Sequence, residues 1–250
     1  MNDTLKTLHS LRSIHGNFSE SEISDEDLQT ILRTCVRAAN ASARQSYGIV
    51  VIEDREMMKA LCGYAGSRGL LFCVDFTRLE MQASHLGHPF AAGGIPSLVI
   101  GAIDTVLAAQ TAAIAAKSLG IDSLFTNGIH RGDIDRVYRL LDLPLEHCFP
   151  LIMLILGYAS EEPQFQKSRL DGMGIVHYGK YHPLTTGDLE GLIRAYDDPA
   201  RHLGMSEDWR KKGMAHYLDW FYTVWVGTFP KTTGKSKMLE ILERSGFTQT

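Results

Sequence analysis

Cysteine is scarce in this chain, with 4 in 250 residues. Cys35, Cys62, Cys73 and Cys148 stand at none of the spacings used by zinc sites or redox pairs, which argues against a disulfide framework and a metal ribbon. Cys35 and Cys73 fall in apolar periodic segments and read as small core residues. An excess of one charge is missing too: 25 Lys and Arg against 29 Asp and Glu leave a net charge of -4, which argues against a nucleic-acid-binding surface. The basic residues are scattered, apart from Arg210-Lys211-Lys212 and the stretch Lys231 to Lys237, and both clusters read as solvated helix faces. Met1-Asn2-Asp3-Thr4 offers neither a basic nor an apolar leader region, so no signal peptide is predicted. No apolar stretch reads as the roughly 18 residues of a membrane span. Together these absences predict a cytoplasmic globular protein with no nucleic-acid or membrane partner.

The common catalytic signatures are also lacking. There is no G-x-S-x-G elbow, no Walker loop and no G-x-G-x-x-G. None of the 10 histidines pairs with another at i, i+4 around an acid. His85 and His88 sit beside Gly87 and Pro89 in what reads as a loop, so no metal is expected. No internal repeat or low-complexity tract is present.

What is present is an ordinary apolar fraction, 44%, arranged in mixed periodicities. Leu5, Leu8 and Leu11 suggest a short amphipathic helix that stops at the segment Arg12 to Phe18, where Gly16 and Asn17 break the pattern. Ser24, with Asp27 three residues on, reads as an N-cap, and Leu28, Ile31, Leu32, Cys35, Val36 and Ala39 form one stripe. Residues 40–46 are small and polar and read as a loop. Strands are predicted at Tyr47 to Ile52, Leu70 to Phe76, up to Phe125, and Pro150 to Gly157. Helices are predicted at Arg55 to Tyr64 and from about Asp133 to Leu141. Residues 85–96, rich in Gly, His and Pro, read as a loop able to fold over a ligand. Ser97 to Leu119, rich in Ala and closed by Gly120, reads as a helix buried on nearly all sides. Residues 159–185 read as an extended arm after a 1–158 core. Residues 186–250 then close a single domain with helices at Thr186 to Tyr196, Ser206 to about Val226, and Ser236 to Arg244.

The anion-binding groups are separated in sequence. Arg12-Ser13 follows the first helix, and Lys167-Ser168-Arg169-Leu170 follows the last strand. Arginine suits phosphate because its planar fork binds oxygens in pairs. Residues 40–45 offer small side chains and backbone donors, and Thr126-Asn127-Gly128-Ile129 offers a tight turn whose glycine permits close backbone approach to a flat ligand. A phosphate carrying a planar polar ring would use all of these.

In this order the motifs resemble the FMN-dependent nitroreductase superfamily, in its nitroreductase/flavin reductase branch. The resemblance runs over roughly residues 8 to 185. It rests on Arg12-Ser13-Ile14-His15-Gly16-Asn17-Phe18 as the opening signature and on Gln45 in the polar loop. It also rests on the Ala-rich run from Asp104-Thr105 to Leu119-Gly120, on Phe125 to Ile129, on Leu143-Pro144, on Leu156-Gly157-Tyr158 and on Lys167 to Leu170. His15 stands where the family carries a second arginine, with one extra residue before Phe18.

The resemblance implies an α+β sandwich, a mostly antiparallel sheet flanked by helices, in an obligate homodimer with FMN at the interface. It implies that Arg12, Lys167 and Arg169 hold the phosphate, assisted by Ser13 and His15. Ser42 and Gln45 would lie along the flavin, and Thr126, Asn127, Gly128 and Ile129 beside its ring. The implied reaction is hydride transfer from NAD(P)H through FMN to nitroaromatics, quinones or flavins, with no catalytic side chain of its own. The alternatives are a flavoenzyme with another donor and a specialised substrate, or a flavin-binding sensor or store without turnover.

Overall fold

The computed structural model describes residues 1–90, 93–228 and 236–248. Ala91 and Ala92 of the predicted loop, and the cationic stretch from Lys231 to Lys235, lie outside the described residues. The chain forms two compact units, Met1–Glu162 with Gly234–Thr250, and Pro163–Thr233.

The first unit is built on four strands: β1 (Tyr47–Ile52), β2 (Arg68–Asp75), β3 (Asp122–Thr126) and β4 (Cys148–Gly157). Their order is β1-β2-β4-β3 and every neighbouring pair is antiparallel. Tyr47 faces Val74, Arg68 faces Leu156, and Asp122 faces Gly157. β2 and β4 are apolar almost throughout because helices cover both faces, the pattern expected of strands buried on two sides. Leu70, Phe72, Leu154 and Leu156 share one cluster with α2 (Asp25–Cys35) and α5 (Gly94–Ser118). Leu71, Cys73, Met153 and Ile155 share the other with α3 (Arg55–Cys62), α6 (Asp135–Leu141) and α10 (Lys237–Arg244). The fold is therefore the α+β sandwich anticipated from the sequence.

Helix starts follow local chemistry. Ser24 Oγ accepts the Asp27 N–H at 3.1 Å at the start of α2, and Asp54 Oδ1 accepts from Glu56 and Met57 at the start of α3, as side-chain N-caps do. The short helix α1 (Asp3–His9) matches its sequence pattern. Helix α4 (Thr77–His85) forms in a stretch given no element above, so the following loop is shorter than 85–96.

Helix α5 differs from expectation in two ways. It buries Gly101, Thr105, Ala108, Ala109, Ala112, Ala113 and Ala116 against the sheet and α2. A side chain at Gly101 would meet Val74 Cγ1 at 2.5 Å, so the small residue lets helix and sheet touch. The opposite stripe, Ile95, Val99, Ile103, Val106 and Leu107, is exposed. Among the described residues the helix is thus buried along one face and leaves its larger apolar residues exposed on the other. At 25 residues it is also long and apolar enough to cross a membrane, contrary to the reading that no stretch is.

The second unit contains α7 (Thr186–Asp197), α8 (Asp208–Lys211) and α9 (Tyr217–Trp220). Thr185 caps α7 in a reciprocal pair with Asp188. The single helix read over Ser206 to Val226 is interrupted. Gly213 takes φ +68°, and Asp219 accepts the His216 N–H to restart the chain as α9. Trp209, Tyr217 and Trp220 form this unit's own core, beside an apolar groove of about 780 Å³ lined in part by Leu170, Tyr196, Met205 and Phe221.

Candidate functional site

At one corner of the sheet the N-terminal segment runs beside β3. Ser13 bridges Ser123 in parallel, and the Ile14 N–H donates to the Ser123 carbonyl at 3.1 Å. Ser13 and His15 are exposed while Ile14 is buried. Arg12 donates from Nε and Nη2 to the two oxygens of Asp122, at 2.8 and 2.6 Å. Its outer edge donates to Glu162 at 2.5 and 3.1 Å, and Lys117 Nζ adds a contact to Asp122 at 2.9 Å. Burial by itself would raise the Asp122 pKa, but Arg12 and Lys117 outweigh it and hold the carboxyl below its ordinary value. The Arg12 guanidinium predicted to bind phosphate is thus already engaged by carboxylates on both edges.

The opposite corner holds the loop of residues 40–46. Ser42, Ala43 and Gln45 take φ values of 53°, 53° and 51°, the left-handed region that side-chain-bearing residues enter rarely. Asp104, on α5 and 1% exposed, accepts the Ala41 N–H at 2.8 Å and the Ser46 N–H at 3.2 Å. Arg78 of α4 donates to the carbonyls of Arg44 and Gln45 at 2.6 and 2.8 Å. Ser42 is exposed on this loop, and Gln45 donates to the Val36 carbonyl and the Tyr47 hydroxyl. Asp104 was legible only as the start of the Ala-rich run, and Arg78 carried no signal at all.

The turn after β3 is largely internal. Thr126, Gly128 and Ile129 are buried and Asn127 is exposed. Thr126 Oγ1 accepts the Gly128 N–H at 3.0 Å. A Cβ at Gly128 would lie 2.1 Å from the Cys62 carbonyl oxygen, so the close approach this glycine permits is to the end of α3. Beyond the turn, burial lowers the pKa of His130, whose Nε2 lies 2.8 Å from the Pro150 carbonyl.

Within the second unit, Lys167 and Arg169 are exposed, and neither forms an ion pair among the described residues. Arg169 donates to the carbonyls of Lys167 and Ser168. Asp171 nearby pairs with Arg201 instead.

The pairing registers locate the corners of the first unit. Ser13 stands level with Ser123, Leu156 and Arg68, whereas the loop of residues 40–46 enters β1 opposite Val74. Six residues of β2 separate those levels, about 20 Å at roughly 3.3 Å per residue, and across the sheet β2, β4 and β3 lie between. A single copy does not bring Ser13 and His15 to Ser42 and Gln45.

An antiparallel sheet in the order β1-β2-β4-β3, packed on a small-residue helix and carrying polar loops at opposite corners, defines a nitroreductase-type fold. No family model matches the chain, but individual proteins do. It is 32% identical over 207 residues to the oxygen-insensitive NADPH nitroreductase of Salmonella typhimurium, covering 79% of this chain and 81% of that one. It is 28% identical over 259 residues to an NAD(P)H FMN reductase of Bacillus subtilis, covering 99% and 98%. Among solved structures, B. megaterium NfrA2 superposes with a TM-score of 0.80 at 30% identity over 99% of both chains. The chain belongs to the nitroreductase superfamily, in its flavin reductase branch.

Proposed function

We propose that this protein is an FMN-dependent oxidoreductase that takes a hydride from NAD(P)H and delivers reducing equivalents to a nitroaromatic, quinone or free flavin, working as a cytoplasmic homodimer. The relatives named FMN reductase and NADPH nitroreductase support the reaction class. One observation carries the assembly: within the first unit Ser13 and His15 lie at one corner of the sheet and Ser42 and Gln45 at the opposite one, while the apolar stripe of α5 is exposed in one copy. Two copies meeting on that stripe would cover it and unite one corner of each.

The donor set suits FMN. Hydroxyls, an imidazole and unpaired exposed cations match a phosphate, and the polar loop with Gln45 matches the hydrogen-bonding edge of a flavin. When bound, FMN supplies the hydride and electron-transfer chemistry. Lys167 and Arg169 would hold the phosphate, and Ser13 and His15 would assist. Arg12 reaches a phosphate only by exchanging Glu162, and its main work is to brace the N-terminal segment on β3. Ser42, Gln45 and the turn Thr126 to Ile129 would orient the ring, the turn acting through Asn127, its one exposed side chain. The chain contributes position and electrostatics, and no side chain is assigned a proton transfer.

The test is spectroscopic. Purified protein takes up FMN and bleaches near about 450 nm, the flavin band, on anaerobic addition of NADH or NADPH. Protein that neither binds FMN nor bleaches with either donor excludes this function. Val99→Glu together with Ile103→Glu converts a sedimenting dimer into a monomer with weakened FMN binding; a persistent dimer removes α5 from the interface.

A further inference from the structure

Asp104 is the anomalous residue of α5. It is 1% exposed on a helix whose other buried residues are glycine, alanine and Thr105, and it forms no ion pair among the described residues. A charge buried this way is costly unless hydrogen bonds satisfy it. Both partners are backbone N–H groups of one loop, Ala41 to one oxygen and Ser46 to the other. They flank the three left-handed residues Ser42, Ala43 and Gln45. Such conformations persist only where surrounding contacts over-determine them. Here the contacts come from two sides: Asp104 takes N–H groups from the core, and Arg78 gives hydrogen bonds to carbonyls from outside. Asn40 Oδ1 closes the loop by accepting the Gln45 N–H at 3.1 Å.

We propose that Asp104 is a positioning residue for the cofactor: it fixes the loop of residues 40–46 in the strained form that presents Ser42 and Gln45 to FMN. This rests on the FMN reading above. A carboxylate is needed because both oxygens accept; an amide in its place offers one acceptor and turns its NH2 against an N–H donor. The residue is adjacent in sequence to Ile103 of the exposed stripe, so the loop is referenced to the same helix on which two copies would meet.

The experiment titrates FMN into apo wild type, Asp104→Asn and Asp104→Ala by quenching of flavin fluorescence. Amide hydrogen exchange on the same apoproteins compares the peptide spanning residues 38–47 with peptides from β2 and β4. The FMN dissociation constant rises about tenfold in Asp104→Asn, which keeps one acceptor, and further in Asp104→Ala, consistent with loss of charged hydrogen bonds. Exchange accelerates in the loop and keeps wild-type rates in β2 and β4. An unchanged dissociation constant overturns the proposal. So does weakened binding with exchange accelerated equally in all three peptides, which marks a general loss of fold. Should Asp104→Ala fail to fold, the isosteric Asp104→Asn decides by the same criteria. A wild type that binds no FMN sinks the cofactor reading instead, while the exchange comparison still reports whether Asp104 holds the loop.

Discussion

Asp122 and Asp104 are both buried carboxylates at corners of one sheet, and they are satisfied in opposite ways. Asp122 is met by two cations, Arg12 and Lys117. Asp104 is met by two backbone N–H groups. A carboxylate between cations ties distant segments together: the N-terminal segment, the end of α5 and the start of β3. A carboxylate that accepts backbone N–H groups instead dictates the shape of one loop. The first corner thus joins segments, and the second sets the conformation of one loop.

The largest effect should come from Asp122→Asn. It leaves Arg12 and Lys117 without their buried partner and should cost about 3 kcal/mol, as breaking a buried pair does; urea denaturation measures it. If the loss is no greater than for Asp104→Asn, the contrast between the corners fails. Arg169→Ala should weaken FMN binding by about 1.5 to 3 kcal/mol, the size of a charged hydrogen bond, with Arg210→Ala as an unaffected control. Equal titration curves for the two variants would remove Arg169 from the phosphate site. Asp104→Asn should lower global stability by only about 1 kcal/mol, so its effect on FMN would exceed its effect on the fold.

Acid should weaken the first unit through its paired carboxylates. The Asp122 pKa is depressed in the folded protein, and that of Glu22, bonded by Arg55, Ser67 and Arg68, is pushed down to about 2. Groups with depressed folded values stabilise above their unfolded pKa, and the contribution is lost as pH falls through the folded value. The urea midpoint should therefore stay level from neutral pH to about 5 and fall below about 4, where unfolded carboxyls titrate. Asp122→Asn should flatten that fall. The smallest effect belongs to Glu162→Gln. Glu162 is exposed, so the unfolding midpoint should not move measurably, while FMN binding should tighten slightly if phosphate competes for Arg12. Weaker binding would argue that Glu162 supports the site.

Much of the fold was legible because its signals are local. Ser24 with Asp27 marked the start of α2, β2 and β4 are near-continuous apolar runs, and Gly120 closed α5 at φ +78°. Failures arose where a short-range exception outweighed a good pattern. Gly213 broke an aromatic-rich stretch that otherwise reads as one helix. α4 lacks an N-cap side chain and buries no residue fully, so it left no stripe to detect. At the candidate site, the residue types of the N-terminal signature, the polar loop and the arm were readable. Their partners were not. Nothing near Arg12 in sequence announces Asp122 or Glu162, and nothing in the polar loop announces Asp104, some sixty residues away.

The sequence by itself determined the four strands, most of the helices of the first unit and, through its motifs, the resemblance to a flavoprotein family, because periodicity, capping and residue type are properties of neighbours along the chain. Tertiary structure alone decided that Gly128 is small for the sake of Cys62, that the Arg12 fork is filled by carboxylates, and that the site residues of the first unit stand at opposite corners of the sheet. Each depends on strand register and on which distant group arrives first at a donor, and no local pattern encodes either.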